Sequence, residues 1–164
     1  MSARPVVLSY LTHVLDNFSF KYVGAALLST VYLLLCQRAM VNRFRRRAGI
    51  KYPRLYAEKA EAAASSDANK FNCAQRAHQN TLENIPIIYV LTLLSSVKYP
   101  IFAATTCALW TVTRIFYTRG YITGDPGKRL GFTHHISTAA TLSQLVVSTF
   151  IVGGWLLGGL ASKI

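Results

Sequence analysis

The chain has 164 residues, a length that fits one domain, with 52% hydrophobic residues, only 15% charged residues and a formal net charge of +12. Soluble chains average roughly 25% charged residues. Basicity alone would suggest nucleic acid, but the cations gather beside long apolar runs that a small soluble domain has nowhere to bury. That distribution sets membrane topology and attracts anionic lipid, so no nucleic-acid partner is expected.

Residues 1–16 hold Arg4 but lack a compact apolar core followed by a small-residue cleavage site. No cleavable signal peptide is expected, and the first apolar run stays as an anchor. That run, 22–40, reads YVGAALLSTVYLLLCQRAM and is long enough for a hydrocarbon core of about 30 Å. Lys21 and Arg38 sit near its ends, where long side chains snorkel. A basic rod through Arg43, Arg45, Arg46 and Arg47 continues it until Gly49 and Pro53 break the helix. A polar loop follows, with a short helix predicted over 58–64 and N-caps offered by Ser65, Ser66 and Asp67.

The second span, 69–97, is polar in its first half and apolar in its second, with Pro86 inside. The tight turn Lys98-Tyr99-Pro100 joins it to a third span, 100–122, as an antiparallel hairpin. Gly124-Asp125-Pro126-Gly127 then breaks the chain. The fourth span, 132–157, ends near paired glycines, Gly153-Gly154 and Gly158-Gly159, which permit close helix approach. The expectation is an all-α, integral membrane four-helix bundle in a single domain, 1–164. Cations concentrate in loops 43–68 and 123–131, which places both in the cytosol and both termini across the membrane. Cys36, Cys73 and Cys107 form neither a disulfide framework nor a zinc site and read as buried apolar residues. Ser162-Lys163-Ile164 differs from a peroxisomal signal by its final Ile and is discounted.

Ionisable groups inside a span are costly and point to function. At about 100° per residue, Asn72, Gln79, Asn80 and Glu83 fall within about 60° of Arg76. This stripe of cation, anion and amides suits a zwitterionic ligand rich in amides: Arg76 forks a carboxylate, Glu83 accepts from an ammonium and Asn80 pairs with a peptide group. The alternative is a polar seam between helices. Arg76 and Glu83 are expected not to pair with each other, because seven residues separate them by two turns. Arg114, Tyr117 and Tyr121 make a second stripe on the third span. An interfacial aromatic belt accounts for Tyr121 but poorly for Arg114. Arg119 points elsewhere. Beyond lie Lys128, Arg129 and the pair His134-His135. A cation here stabilises a thiolate or simply sets topology.

Phe71–Glu83, FNCAQRAHQNTLE, and Arg114–Arg129, RIFYTRGYITGDPGKR, together resemble the MAPEG family, membrane-associated proteins in eicosanoid and glutathione metabolism. The resemblance covers roughly 22–154. It implies a homotrimer of four-helix protomers, with glutathione bound between them as co-substrate and no metal. It also implies glutathione contacts from Arg45, Arg76, His78, Asn80, Glu83, Arg114, Tyr117 and Tyr121. Arg129 is implied as the catalytic residue that activates the thiol, with Lys128 as its rival. Asn84 stands where a leukotriene-forming member has a tyrosine, a departure from that specificity.

The implied activity is glutathione transfer, with peroxidase activity, on a lipophilic electrophile or lipid hydroperoxide that arrives through membrane lipid. Leukotriene-forming activity is a variant of the same chemistry. The alternatives are a non-enzymatic lipid-binding scaffold and a structural or transport bundle. The implied location is the endoplasmic reticulum membrane with the site facing the cytosol. The mitochondrial outer membrane is compatible with the same topology.

Overall fold

A computed structural model describes residues 18–161; the expectations for the N-terminal segment 1–16 and for residues 162–164 lie outside it. Four long helices account for most of the described chain: α1 (Phe18–Ala48), α3 (Ser66–Ser96), α4 (Pro100–Tyr121) and α5 (Phe132–Ala161). A short α2 (Lys59–Ala64) lies in the first loop, and a 3-10 turn (Pro126–Arg129), not anticipated from sequence, lies in the third. There is no strand among the described residues.

The boundaries follow local chemistry. Gly49 ends α1 at φ 66°, a left-handed conformation that costs glycine little. The Ser65 hydroxyl caps α3 by accepting from the Ala68 N–H at 3.3 Å. Pro100 opens α4 at its first turn, where no intrahelical donor is needed. Gly124, at φ 89°, turns the chain beyond α4. Pro86 lies inside α3 without ending it.

α1, α3 and α4 pack mutually, and α5 lies against α3 and α4. The main core joins Val23, Ala26 and Leu33 of α1 to Ile85 and Ile88 of α3 and to Ala104, Cys107 and Trp110 of α4. A second cluster at the basic end joins Val41, Ile50, Ala57, Ala68, Phe71 and Ala74.

Several polar side chains lie among the buried apolar ones, and many large apolar side chains face outward. Thr30, Gln37, Thr81, Thr92, Thr111, Gln144 and Ser148 are buried, while Tyr32, Ile87, Val90, Val112, Phe116, Phe150 and Leu157 are exposed. Buried hydroxyls and amides find interhelical partners: Gln144 Nε2 donates to Thr92 Oγ1 (3.2 Å), the Ala103 carbonyl (3.2 Å) and Thr106 Oγ1 (2.6 Å). An apolar outside over a polar-stitched inside is the arrangement that lipid requires. By length and apolarity alone, Phe20–Ala48 and Phe132–Gly158 qualify as membrane spans. α3 has 31 residues and α4 has 22, about 46 and 33 Å at about 1.5 Å per residue, but their polar stripes dilute their apolarity.

One expectation is corrected. Cys36 is exposed, not buried, because it lies on the outward face of α1; Cys73 and Cys107 are buried as expected. Gly153 and Gly154 meet no neighbouring helix within the protomer. They line an outward-facing apolar groove of about 610 Å³ with Leu145, Phe150 and Leu157.

Trp110→Ala is expected to cost about 3–5 kcal/mol, because it empties the junction of three helices. Gln144→Leu should cost about 1 kcal/mol, the net worth of an interhelical polar contact in lipid. Thermal unfolding in one detergent ranks the two. The opposite ranking would mean that polar stitching, rather than apolar packing, dominates the bundle.

Candidate functional site

Polar groups of α3, α4 and the two adjoining loops converge at the basic end of the bundle. Arg114 is buried among them, 9% exposed. Its guanidinium sits 4.9 Å from the Trp110 ring centroid and 4.8 Å from that of Tyr117. Its Nη1 donates to Asn80 Oδ1 at 2.7 Å. Since guanidinium only donates, this bond fixes the Asn80 amide with its oxygen towards Arg114 and leaves its NH₂ as the group on offer. The buried Arg114 Nε has no partner.

Tyr117 and Tyr121 continue the α4 stripe in edge-to-face contact, centroids 5.3 Å apart, with both rings buried. The Arg129 guanidinium lies 5.2 Å above the Tyr121 ring. It is fixed there by donating from Nη1 to the Pro126 carbonyl. Lys128, its rival from the sequence, is exposed. Close approach holds this 3-10 turn on α4: a Cβ at Gly120 would collide with the Lys128 carbonyl. Asn69 Nδ2 ties α3 to the same loop through the Gly124 carbonyl at 2.9 Å.

Along α3 the predicted stripe divides. Arg76, Gln79 and Glu83 are exposed, whereas Asn72 and Asn80 are partly buried. The Asn72 amide clasps the backbone of Ala57, accepting from its N–H at 2.7 Å and donating to its carbonyl at 2.9 Å. Its role is structural. Arg76 and Glu83 pair with each other, Nη1 to Oε1 at 2.9 Å, contrary to expectation. Seven residues along a helix rise about 10 Å. The two side chains project from the same face, and an extended arginine and a glutamate together cover that span.

His78 and Arg45 lie away from the exposed stripe. His78 Nδ1 faces Gln37 Oε1 of α1 at 3.3 Å. Gln37 is buried and also donates to Thr81 (3.0 Å) and Thr118 (2.8 Å), joining α1, α3 and α4. Arg45 is buried between Tyr52 and Phe71, 4.2 and 4.6 Å from their centroids, and donates to the Arg54 carbonyl at 2.6 Å. Gln37 was missed as a site-supporting residue, although an amide inside an apolar span was a visible signal. Tyr56 was also missed: its hydroxyl donates to Gln79 Oε1 at 2.5 Å, and an irregular loop carries no periodicity that would have placed it.

Arg54 and Glu61 form a two-pronged ion pair that fastens the loop. The hydrogen bond from Arg54 holds the Glu61 carboxyl below the ordinary carboxylate value, helped by the Glu58 N–H. A carboxylate depressed in the folded state contributes stability above its unfolded pKa and loses that contribution as pH falls through the folded value. Deuterium uptake over 51–64, corrected for intrinsic exchange, should therefore rise below about pH 4. Glu61→Gln should show the same rise at pH 7. Equal protection of the variant and the wild type would show that the pair does not fasten the loop.

Gly120→Ala should lift the 126–129 turn and draw Arg129 away from Tyr121. Limited trypsin digestion should then cleave at Lys128 or Arg129 several-fold faster, with α3 unaffected. An unchanged rate would mean that the turn is not seated by this contact.

The site thus offers fixed cations, an amide donor, an ion pair open to exchange and a guanidinium poised at its rim. A family model, the MAPEG family, matches residues 23–150. The match covers all four long helices in whole or in large part, together with every site residue described above. The chain belongs to the MAPEG family, membrane proteins linked to glutathione that include transferases and also non-enzymatic members.

Proposed function

We propose that the protein is a membrane-bound glutathione transferase, with peroxidase activity, in which Arg129 stabilises the glutathione thiolate for attack on a lipophilic electrophile or lipid hydroperoxide. In this reading the two sequence segments that carry the family resemblance are similar to microsomal glutathione transferase type 3. The observation that carries the reading is the Arg129 guanidinium held above Tyr121 at the edge of the polar stripes. A scaffold that only bound lipid would have no need of a cation fixed in that place.

A free thiol has a pKa of about 8.5, so only a few per cent is thiolate at pH 7. The thiolate is the nucleophile. A guanidinium nearby favours it by Coulomb attraction, and a shift of about two units requires roughly 2.7 kcal/mol, within reach of a partly desolvated pair. Arg76, Glu83, Asn80, Arg114, Tyr117 and Tyr121 position the peptide in this reading. The Arg76–Glu83 pair exchanges partners for the ligand's carboxylate and ammonium without a net change of charge. In conjugation, the thiol proton leaves to solvent and sulfur bonds to the electrophilic carbon as that carbon's bond to its leaving group breaks and the group departs with the electron pair. With an activated alkene or epoxide, the π or C–O bond breaks instead and the anion so formed takes up a proton. In peroxide reduction, two glutathiones yield glutathione disulfide, the alcohol and water.

Four spans, a homotrimer and the endoplasmic reticulum membrane complete the proposal, with the basic end in the cytosol by the positive-inside rule. A site between protomers accommodates Arg45 and His78, which face away from the Arg76 stripe on the same protomer. It would join that stripe of one copy to the α1-facing side of another. Lipid-borne substrates would reach the sulfur between helices, so that the membrane surface supplies proximity.

Ultraviolet difference absorbance on adding glutathione to the detergent-purified protein tests the reading. A saturable thiolate signal at neutral pH is expected, with turnover reduced by at least about tenfold in Arg129→Ala. Glutathione binding without thiolate would favour the scaffold. A loss below about threefold when Lys128 and Arg129 are both replaced by alanine would sink the mechanism.

A further inference from the structure

The first loop, 49–64, is fastened on both sides of one residue. Upstream of Tyr56, the Arg54 carbonyl accepts from Arg45 at 2.6 Å, and the Arg54 guanidinium forks Glu61. Downstream, Asn72 of α3 holds both backbone groups of Ala57. These bonds anchor the loop to α1 and α3 without help from the Tyr56 side chain. Yet that side chain is delivered onto the stripe, where its hydroxyl meets Gln79 Oε1 at 2.5 Å.

Gln79 sits between Arg76 and Glu83 on the exposed face of α3. Arg76, Glu83 and Tyr121 all lie within electrostatic reach of the Tyr56 hydroxyl. Burial raises the pKa of this hydroxyl above the ordinary phenol value, so at neutral pH it is a neutral donor among charges. A hydrogen bond to an exposed amide contributes little to a loop already anchored twice, because water serves the amide equally well. A donation to a carboxylate is worth more, because charge-assisted bonds are roughly twice as strong as neutral ones.

We infer that Tyr56 is a further ligand-contacting residue of this site: its hydroxyl turns from Gln79 to a carboxylate oxygen of glutathione bound at Arg76, so that the anchored loop and α3 grip the peptide from two sides. The inference rests on the glutathione reading above. Gln79 then acts as a placeholder acceptor, holding the phenol in position until a carboxylate replaces it.

Calorimetric titration of the full-length, detergent-purified protein with glutathione tests this with Tyr56→Phe and Gln79→Met. Tyr56→Phe keeps the ring and removes the donor. It should weaken glutathione binding about tenfold and leave the melting temperature of the ligand-free protein unchanged. Gln79→Met removes only the placeholder acceptor and should leave affinity unchanged or improve it. If the Tyr56–Gln79 bond is merely a tie for the loop, the two variants will weaken binding equally or lower the melting temperature together, and the inference is overturned. It is also overturned if wild type binds and Tyr56→Phe stays within twofold of it. Absence of saturable binding by folded wild type would overturn the glutathione reading itself, and this inference with it.

Discussion

A guanidinium with almost no access to solvent governs the basic end of this bundle. Arg114 belongs to neither ion pair seen among the described residues. Its charge is met by the Asn80 amide oxygen and by the faces of Trp110 and Tyr117. Burying a charge without a counter-ion costs several kcal/mol after relaxation. The surrounding structure must therefore hold those partial compensations in register. Trp110 is also the largest fully buried side chain of the core. The packing that holds the helices together and the electrostatics that shape the site consequently meet in one residue of α4.

From that point the rest of the site is oriented. Asn80 is locked with its oxygen inward, so α3 presents an amide donor outward. Tyr117 is held between Arg114 and Tyr121, and Tyr121 in turn forms the platform for Arg129. Gly120, one residue before that platform, lets the 126–129 turn lie directly on the helix. A chain of contacts thus runs from the apolar core through α4 to the Arg129 guanidinium.

Much of this was legible in the sequence because it depends on periodicity. Four long helices, the stop at Gly49, the cap at Ser65 and the hairpin at Pro100 follow from apolar runs and their punctuation. The stripes on α3 and α4 follow from helical spacing. What spacing could not supply was the division of labour within a stripe. Asn72 and Gln79 lie on the same helical face, yet one clasps a backbone and the other receives a phenol. That distinction depends on where an irregular loop runs, and no local pattern encodes it. The pairing of Arg76 with Glu83 was missed because reach was judged by backbone rise and the length of the side chains was neglected. The outward position of Cys36 was missed because in a membrane protein apolar does not mean buried.

The charges assembled at the site also bear on which form of the ligand it favours. Arg76, Arg114 and Arg129 contribute three guanidiniums, and Glu83 is the carboxylate paired among them. The site therefore carries an excess of positive charge that its own residues do not cancel. Glutathione, the proposed ligand, brings two carboxylates and one ammonium, and ionisation of the thiol adds a second net negative charge. Two opposite unit charges about 4 Å apart attract by about 4 kcal/mol at an effective dielectric near 20. Even a fraction of that attraction, acting on the ionised thiol and not on the neutral one, supplies the roughly 2.7 kcal/mol needed for a two-unit shift. A neutral peptide would leave the excess charge uncompensated at a partly desolvated site. In the proposed reading the same excess lets the Arg76–Glu83 pair be spared for exchange, since Arg114 and Arg129 hold the site positive whether that pair is closed or open.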